Sequence, residues 1–300
     1  MKVAFIGLGV MGWPMAAHVA RDHDVTVSNR TIAKARSWAE QHGARVAETP
    51  AAAAAEADVV MVCVPTDADT LEVALGADGA FDAIRPGAVF LDHGSGTPEV
   101  ARRLAAEADL RGIGFLDAPV TGGAIGAEAA RLAVMVGGEA EVLEPARPAI
   151  DCFAARVELM GPVGAGHLTK MVNVIIGHGS GLALAEALGF AIRSGLDPAR
   201  VVGVLMEGSS RSWQLEHRAG AMIGRDYRSR YPVTFARKDL GNVLAEARKS
   251  ALQLPVSALA DQIYAELQER GWGAADTASI MEYFVPSGSG TGPSAPAGQD

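Results

Sequence analysis

Two cysteines in 300 residues, Cys63 and Cys152, are too few for a disulfide framework or a cysteine metal site. That scarcity points to a reducing, cytoplasmic compartment. Basic residues are also short: 26 Lys and Arg against 35 Asp and Glu give a formal charge of −9. A field of that sign argues against a nucleic-acid partner and against an anionic membrane surface, since both require a basic face. The seven histidines show no metal-ligand spacing, so no metal site is expected. No targeting segment is read at the N-terminus, because Gly7, Gly9 and Gly12 interrupt the apolar start and no cleavage site follows. The longest apolar tract, 171–192, carries Asn173, His178 and Glu186, which marks a buried helix rather than a membrane span. Internal repeats are absent.

What is present is a globular composition, 49% hydrophobic and 20% charged, on a chain long enough for about two domains. Short apolar runs at 3–6, 25–28, 59–64, 88–92, 114–118, 132–136 and 156–159 alternate with alanine-rich amphipathic stretches. Near-continuous runs separated by helical stretches describe a sheet buried on both faces, an α/β doubly wound Rossmann-type domain at 1–162. The last runs crowd together before Leu132, which predicts a mixed extension of the sheet. From 163 to 286 the pattern becomes all-α, beginning with one long helix over 167–194 that Gly195 ends. Further helices are expected at 212–223, 236–251, 257–270 and 276–283, and 287–300 reads as a disordered Ser/Gly/Pro/Ala tail. A helix apolar nearly all round belongs inside its own domain or against a second subunit, and a homodimer or homotetramer is expected.

Gly7-Leu8-Gly9-Val10-Met11-Gly12 follows the first apolar run directly and opens a helical stretch. Glycines there permit a tight turn and close approach to a pyrophosphate, while the helix N-terminus offers unpaired N–H groups and a positive dipole. The alternative is a glycine-rich turn without a ligand. At the end of the second run an NAD site needs a carboxylate, and this chain has Asn29-Arg30-Thr31. Arg30 can pair with a 2′-phosphate, with Asn29 and Thr31 as donors, which favours NADP over NAD; a solvated Arg30 is the alternative. Val64 and Pro65 close the 59–64 run at the edge that faces a cofactor in such sheets.

Asp117–Gly123 follows another run and ends in Thr121-Gly122-Gly123, where successive N–H groups and a hydroxyl can hold a carboxylate. A plain Pro/Gly turn reads the same residues equally well. Gly164–Asn173 leads into the long helix, with Lys170 and Asn173 at i, i+3 on one face. A lysine on an apolar helix must have its charge satisfied or its pKa lowered; in a desolvated site it can bond a carbonyl oxygen and deliver a proton. Near a helix end it can also simply snorkel.

Taken together, Gly7–Gly12, Asn29–Thr31, Asp117–Gly123, Gly164–Asn173 and Lys238-Asp239-Leu240 resemble the β-hydroxyacid dehydrogenases, the family of 3-hydroxyisobutyrate dehydrogenase and tartronate semialdehyde reductase. The resemblance covers residues 2 to 285. It implies a Rossmann-type domain, a helical domain and an active site between them, with Lys170 as the catalytic lysine and Thr121, Gly122 and Gly123 on the substrate carboxylate. It further implies that Ser95 contacts the cofactor and that Lys238 lies near the site. Val174 departs from the Asn or Gln usual after Asn173, and His93-Gly94 replaces a hydrophobic–Ser pair. His178 can replace the lost polar contact, but a core histidine is the expectation. The function implied is NADP-dependent hydride transfer on a small β-hydroxy acid or its semialdehyde. An imine reductase is the second reading, against which Lys170 counts and for which Val174 counts. A non-catalytic cofactor-binding scaffold is the third.

Overall fold

The computed structural model describes residues 1–287. Two compact units divide at Lys170 and Met171. In the first, the strands are β1 Lys2–Ile6, β2 Asp24–Ser28, β3 Arg45–Val46, β4 Val59–Val62, β5 Val89–Asp92, β6 Gly114–Asp117, β7 Val120–Thr121, β8 Leu132–Gly137 and β9 Ala154–Gly161. The helices between them are α1 Gly12–Val19, α2 Ile32–His42, α3 Pro50–Ala54, α4 Asp67–Leu75, α5 Pro98–Asp109, α6 Gly123–Glu128 and α7 Ala140–Asp151, and α8 Ala165–Arg193 follows β9.

Among the described residues these strands form one nine-stranded sheet in the order β3-β2-β1-β4-β5-β6-β8-β7, with β9 beside β8. From β3 to β6 every pairing is parallel, and β8 then runs antiparallel to both β6 and β7. This is the doubly wound sheet with a mixed extension that the apolar runs predict. Their lack of polar alternation has a direct cause: Val3, Phe5, Val59, Met61, Val89 and Leu91 enter one core. Ala4, Ile6, Val60, Val62 and Phe90 enter the other. Each of these other than Ala4 contributes roughly 1.5–3 kcal/mol relative to an exposed one. The sequence reading missed β3 and β7, whose two residues each are too short to show a period. It also found little room for α6, which fits six residues before Leu132.

The expected domain boundary at 162/163 follows a change of composition. The boundary seen falls eight residues later, within α8, because Asp117 of β6 accepts hydrogen bonds from the Gly164 and His167 N–H groups and ties the first turn to the sheet. The second unit continues α8 and adds α9 Pro198–Leu205, α10 Trp213–Gly224, α11 Val233–Lys249, α12 Pro255–Leu267 and α13 Met281–Phe284. Gly195 follows α8 at φ 76°, and the Asp197 and Ser212 side chains cap α9 and α10. Two expected helices need correction. The one over 257–270 ends at Leu267, beyond which the backbone widens and Gly271 takes φ 87°. The one over 276–283 is a 3₁₀ turn, Thr277–Ile280, followed by α13, since the Ser279 N–H bonds back to the Asp276 carbonyl at 2.8 Å. The unit's core gathers Met171, Val174, Leu188, Leu240, Ile263, Tyr264 and Trp272.

By length and composition, α8 is the one helix among the described residues that could cross a membrane; 44% of its most apolar window is buried. Val172, Ile176 and Phe190 of α8 are 54%, 65% and 72% exposed, an apolar stripe along one side of the helix. The expected tail lies, from residue 288, outside the described residues.

Candidate active site

The glycine loop joins β1 to α1. Gly7 sits at φ 97°, where a Cβ would strike the Cys63 carbonyl, and a Cβ on Gly12 would strike the Gly7 carbonyl. At Gly9 the space is open, with no atom within 4 Å of a built Cβ. Gly9 and Val10 line a cavity of about 300 Å³ together with Trp13, Pro14, Lys34 and Glu128. Leu8 is fully buried, whereas Val10 at the loop tip is 55% exposed and Met11 is half-buried. No side chain caps α1 and no acid occupies its first turn; the Trp13 N–H is already taken by the Gly9 carbonyl at 3.0 Å and Pro14 has none, so it is the Gly12 end of the helix that stays open to a ligand anion. The loop therefore fits a dinucleotide pyrophosphate.

Asn29 braces this loop, its Oδ1 accepting from the Leu8 N–H at 2.9 Å while its Nδ2 donates to the Thr31 carbonyl at 3.1 Å. Arg30 extends into solvent, 89% exposed, with Asp69 of α4 3.4 Å away. An exposed pair of that kind contributes about 0–1 kcal/mol and yields readily to a phosphate. Thr31 is the extended residue before α2, and no side chain caps that helix. Lys34, one turn on, was missed by the sequence reading; its position three residues past Thr31 was the available signal. Val64 packs within 3.0 Å of where a Gly7 Cβ would sit, and Pro65 beside it is exposed. Ser95 is half-buried in the loop after β5. Burial, with Asp92 close by, pushes the Cys63 thiol up to about 12, which suits a small core residue and not a nucleophile.

The second cluster assembles at the carboxyl ends of β5 and β6. Lys170, half-buried on the second turn of α8, donates from Nζ to the Val120 carbonyl at 2.8 Å. Val120 immediately precedes Thr121, Gly122 and Gly123. Gly122 and Gly123 adopt φ 130° and 63°, conformations L side chains rarely take and ones in which consecutive backbone N–H groups can turn to the same side. Thr121 and Gly122 are half-buried and Gly123 is exposed. His18 of α1 bonds the Ala127 and Glu128 carbonyls at 3.0 and 3.1 Å, joining the glycine-loop helix to the end of α6.

At the ends of β5 and β6 lie buried groups to which the sequence reading gave no role. Asp92 and Asp117 end adjacent parallel strands in register and are 1% and 0% exposed. Asp92 accepts from the Gly94 N–H at 2.8 Å, and Asp117 from Gly164 and His167 at 2.7 and 2.9 Å. Burial raises the Asp117 pKa, against the pull of His167 and those two N–H groups. The signal for these residues was an acid closing each of two wholly apolar runs. His93 donates from Nδ1 to the Ala118 carbonyl at 2.7 Å, and burial lowers its pKa despite that contact and Asp92.

Asn173 and Lys238 belong to the second unit. Asn173 is half-buried one turn beyond Lys170, and Lys238 of α11 lies 2.8 Å from the Asp239 carboxylate. His178 is buried with Tyr231 and Tyr264 at ring distances of 5.9 and 5.5 Å, a core placement. Arg211 pairs with Glu216 at the surface. Among the described residues no cluster of His, Cys, Asp and Glu has the arrangement of a metal site.

A doubly wound sheet, an uncapped glycine-loop helix and a lysine facing a backbone turn define a dinucleotide-binding oxidoreductase. Comparison with known proteins sharpens this. A family profile described as the NAD binding domain of 6-phosphogluconate dehydrogenase matches residues 2–161. A second, described as the NAD-binding domain of NADP-dependent 3-hydroxyisobutyrate dehydrogenase, matches 164–284. An uncharacterized oxidoreductase of Shewanella frigidimarina is 46% identical over 93% of this chain and 97% of its own length. The 2-hydroxy-3-oxopropionate reductase of Escherichia coli is 34% identical over 94% of this chain and 96% of its own. Among solved structures, Mycobacterium tuberculosis 3-hydroxyisobutyrate dehydrogenase with L-serine superposes with a TM-score of 0.84 at 29% identity, covering 95% of this chain and 99% of that one. Psf3 in complex with NADP+ and 2-OPP gives 0.86 at 25%, covering 94% and 99%. The chain belongs to the β-hydroxyacid dehydrogenase family, NAD(P)-dependent oxidoreductases acting on CH–OH.

Proposed function

We propose that this protein interconverts a small β-hydroxy acid and its semialdehyde with NADP(H), using Lys170 as general acid and base. The observation that carries the reading is the Lys170 ammonium 2.8 Å from the Val120 carbonyl, at the head of the Thr121–Gly123 turn. That turn holds the substrate carboxylate through its N–H groups and the Thr121 hydroxyl. With the carboxylate fixed there, the β-oxygen two carbons away comes within reach of Nζ. Bound nicotinamide supplies or accepts the hydride. In reduction Lys170 gives its proton to the developing alkoxide oxygen, and in oxidation it takes the hydroxyl proton. Asn173, on the same helix face, keeps the role of orienting the lysine or the substrate that the resemblance implies, and Lys238 and Ser95 that of cofactor contacts.

Arg30 supports NADP over NAD, since the end of β2 offers a guanidinium and two polar neighbours where NAD calls for an acid. The exposed apolar side chains Val172, Ile176 and Phe190 of α8 support a homodimer or homotetramer. Nicotinamide absorbance tests the function. Purified protein is offered NADP+ or NAD+ with 3-hydroxyisobutyrate and related β-hydroxy acids, then NADPH with semialdehydes and cyclic imines. Turnover of a β-hydroxy acid with NADP+ preferred is expected. A preference for NAD+ would remove the role given to Arg30, and turnover of imines alone would replace the reaction class.

A further inference from the structure

Two carboxylates at the ends of neighbouring parallel strands, both buried, repel each other and lack water to screen them. Asp92 and Asp117 are such a pair, facing across the β5–β6 register. What answers them comes from α8. Its N-terminal N–H groups bond Asp117, and the His167 ring, 1% exposed overall, places Nε2 3.4 Å from Asp92 Oδ2. That separation sets an imidazole nitrogen beside a carboxylate oxygen without an aligned hydrogen bond, as both atoms lack one among the described residues. His167 lies three residues before Lys170, so the ring and the lysine ride on consecutive turns of one helix.

We propose that His167 is a positioning residue for Lys170, its ring pinned by Asp92 and Asp117 so that the first turn of α8 stays seated on the strand ends and the lysine stays at the Val120 carbonyl. The inference rests on the reading of Lys170 as the acid and base. Burial alone would lower the His167 pKa, but Asp92, Asp117 and Asp67 outweigh it and hold it above its ordinary value. Asp67 of α4 approaches from the far side, where it accepts from the Thr97 N–H and hydroxyl at 3.0 and 2.8 Å. His93 and the Cys63 thiol are the other titratable groups near Asp92. These carboxylates favour the protonated ring, which would offset one of them at the start of the helix that carries the lysine. Without it, the strand ends at the start of the lysine's helix would keep an excess of negative charge, and the helix turn would lose its tie to β5.

Competitive acetylation with acetic anhydride across pH, read at each lysine by peptide mass spectrometry, tests this without any substrate. Removing one positive charge by His167→Gln should raise the Lys170 pKa by roughly one unit. Lys34 and Lys238 should keep their wild-type curves in the same digest. Turnover of 3-hydroxyisobutyrate with NADP+ should fall about 10- to 100-fold in kcat, the scale of a misplaced catalytic group, with NADPH affinity retained. Adding Asp92→Asn to His167→Gln removes both partners and should return Lys170 towards its wild-type curve. An unmoved Lys170 curve in folded His167→Gln overturns the proposal, as does a loss of stability with no such movement. Should that variant not fold, His167→Asn takes its place, and failure of both to fold would make the ring purely structural. Lys170→Ala run alongside separates the two readings: if it turns over normally, the role of Lys170 in chemistry fails whatever the acetylation curves show.

Discussion

In the helical unit, Asp276 receives the Arg218 guanidinium, the N–H groups of Arg230 and Tyr231 at 3.1 Å each, and that of Ala278 at 2.9 Å. Glu282 nearby receives Arg225, the Tyr227 hydroxyl at 2.9 Å, and the Ser287 N–H and hydroxyl at 2.7 Å each. The sheet unit buries Asp92 and Asp117 just as deeply, yet answers them with an imidazole and a helix N-terminus. A guanidinium keeps its charge at any working pH, so the helical cluster is a staple. The imidazole can gain and lose its proton, and it stands one turn from a lysine at a substrate-sized turn. Perturbed titratable groups gathered in this way are where proton transfer is found. The difference teaches that burial of charge alone does not mark a site; the kind of counter-charge does.

Mutation should sharpen that contrast. Lys170→Ala carries the largest effect, a loss of about 10²–10⁴-fold in kcat expected for a removed acid–base group, with NADPH binding intact by fluorescence titration. Arg218→Leu comes next and acts only on the fold. Leaving Asp276 buried without its counter-charge should cost about 3–5 kcal/mol in urea unfolding while the kcat of the folded enzyme stays at wild type. An Arg218 variant that lost kcat but kept its stability would erase the distinction between the clusters.

Much of this was legible before the structure. The apolar runs revealed the sheet because both its faces are buried, and the glycine loop stood out because Gly7 and Gly12 leave no room for a Cβ. Lys170 announced itself as a charge on an apolar helix. Asp92, Asp117 and His167 did not, because what unites them is strand register and the seating of α8, which bring together residues 50 and 75 positions apart. The 3₁₀ turn at Thr277–Ile280 was hidden for a similar reason: Asp276 does cap the segment through the Ala278 N–H, but the same carboxylate also takes Arg218 and the Arg230–Tyr231 backbone, partners some 45 to 58 positions away.

Smaller effects extend the comparison. Arg30→Ala should raise the NADP+ KM about tenfold, the scale of a lost charge-assisted hydrogen bond, with NAD+ kinetics unmoved. An equal rise for both cofactors would place Arg30 outside the 2′-phosphate contact. The two clusters should also respond to pH in opposite directions. His167 is held above its ordinary 6.5, so its contribution is complete below that value and fades as pH rises through the folded value. Glu282 would be raised by burial, but Ser287, Tyr227 and Arg225 bring it below its ordinary 4.5. Its contribution is present above 4.5 and fades as pH falls through the lowered value. Hydrogen exchange followed by mass spectrometry should therefore show the start of α8 loosening on the alkaline side and the 277–284 segment on the acid side.

The proton role of Lys170 is the central claim, and chemical rescue addresses it most directly. Lys170→Ala is assayed for NADP+-dependent oxidation of 3-hydroxyisobutyrate with methylamine, ethylamine and other small primary amines added. Turnover that returns in proportion to amine concentration, and that follows the amines' basicity, is the predicted result. A Lys170→Ala enzyme as active as wild type, or one that no amine revives at any pH, would contradict it.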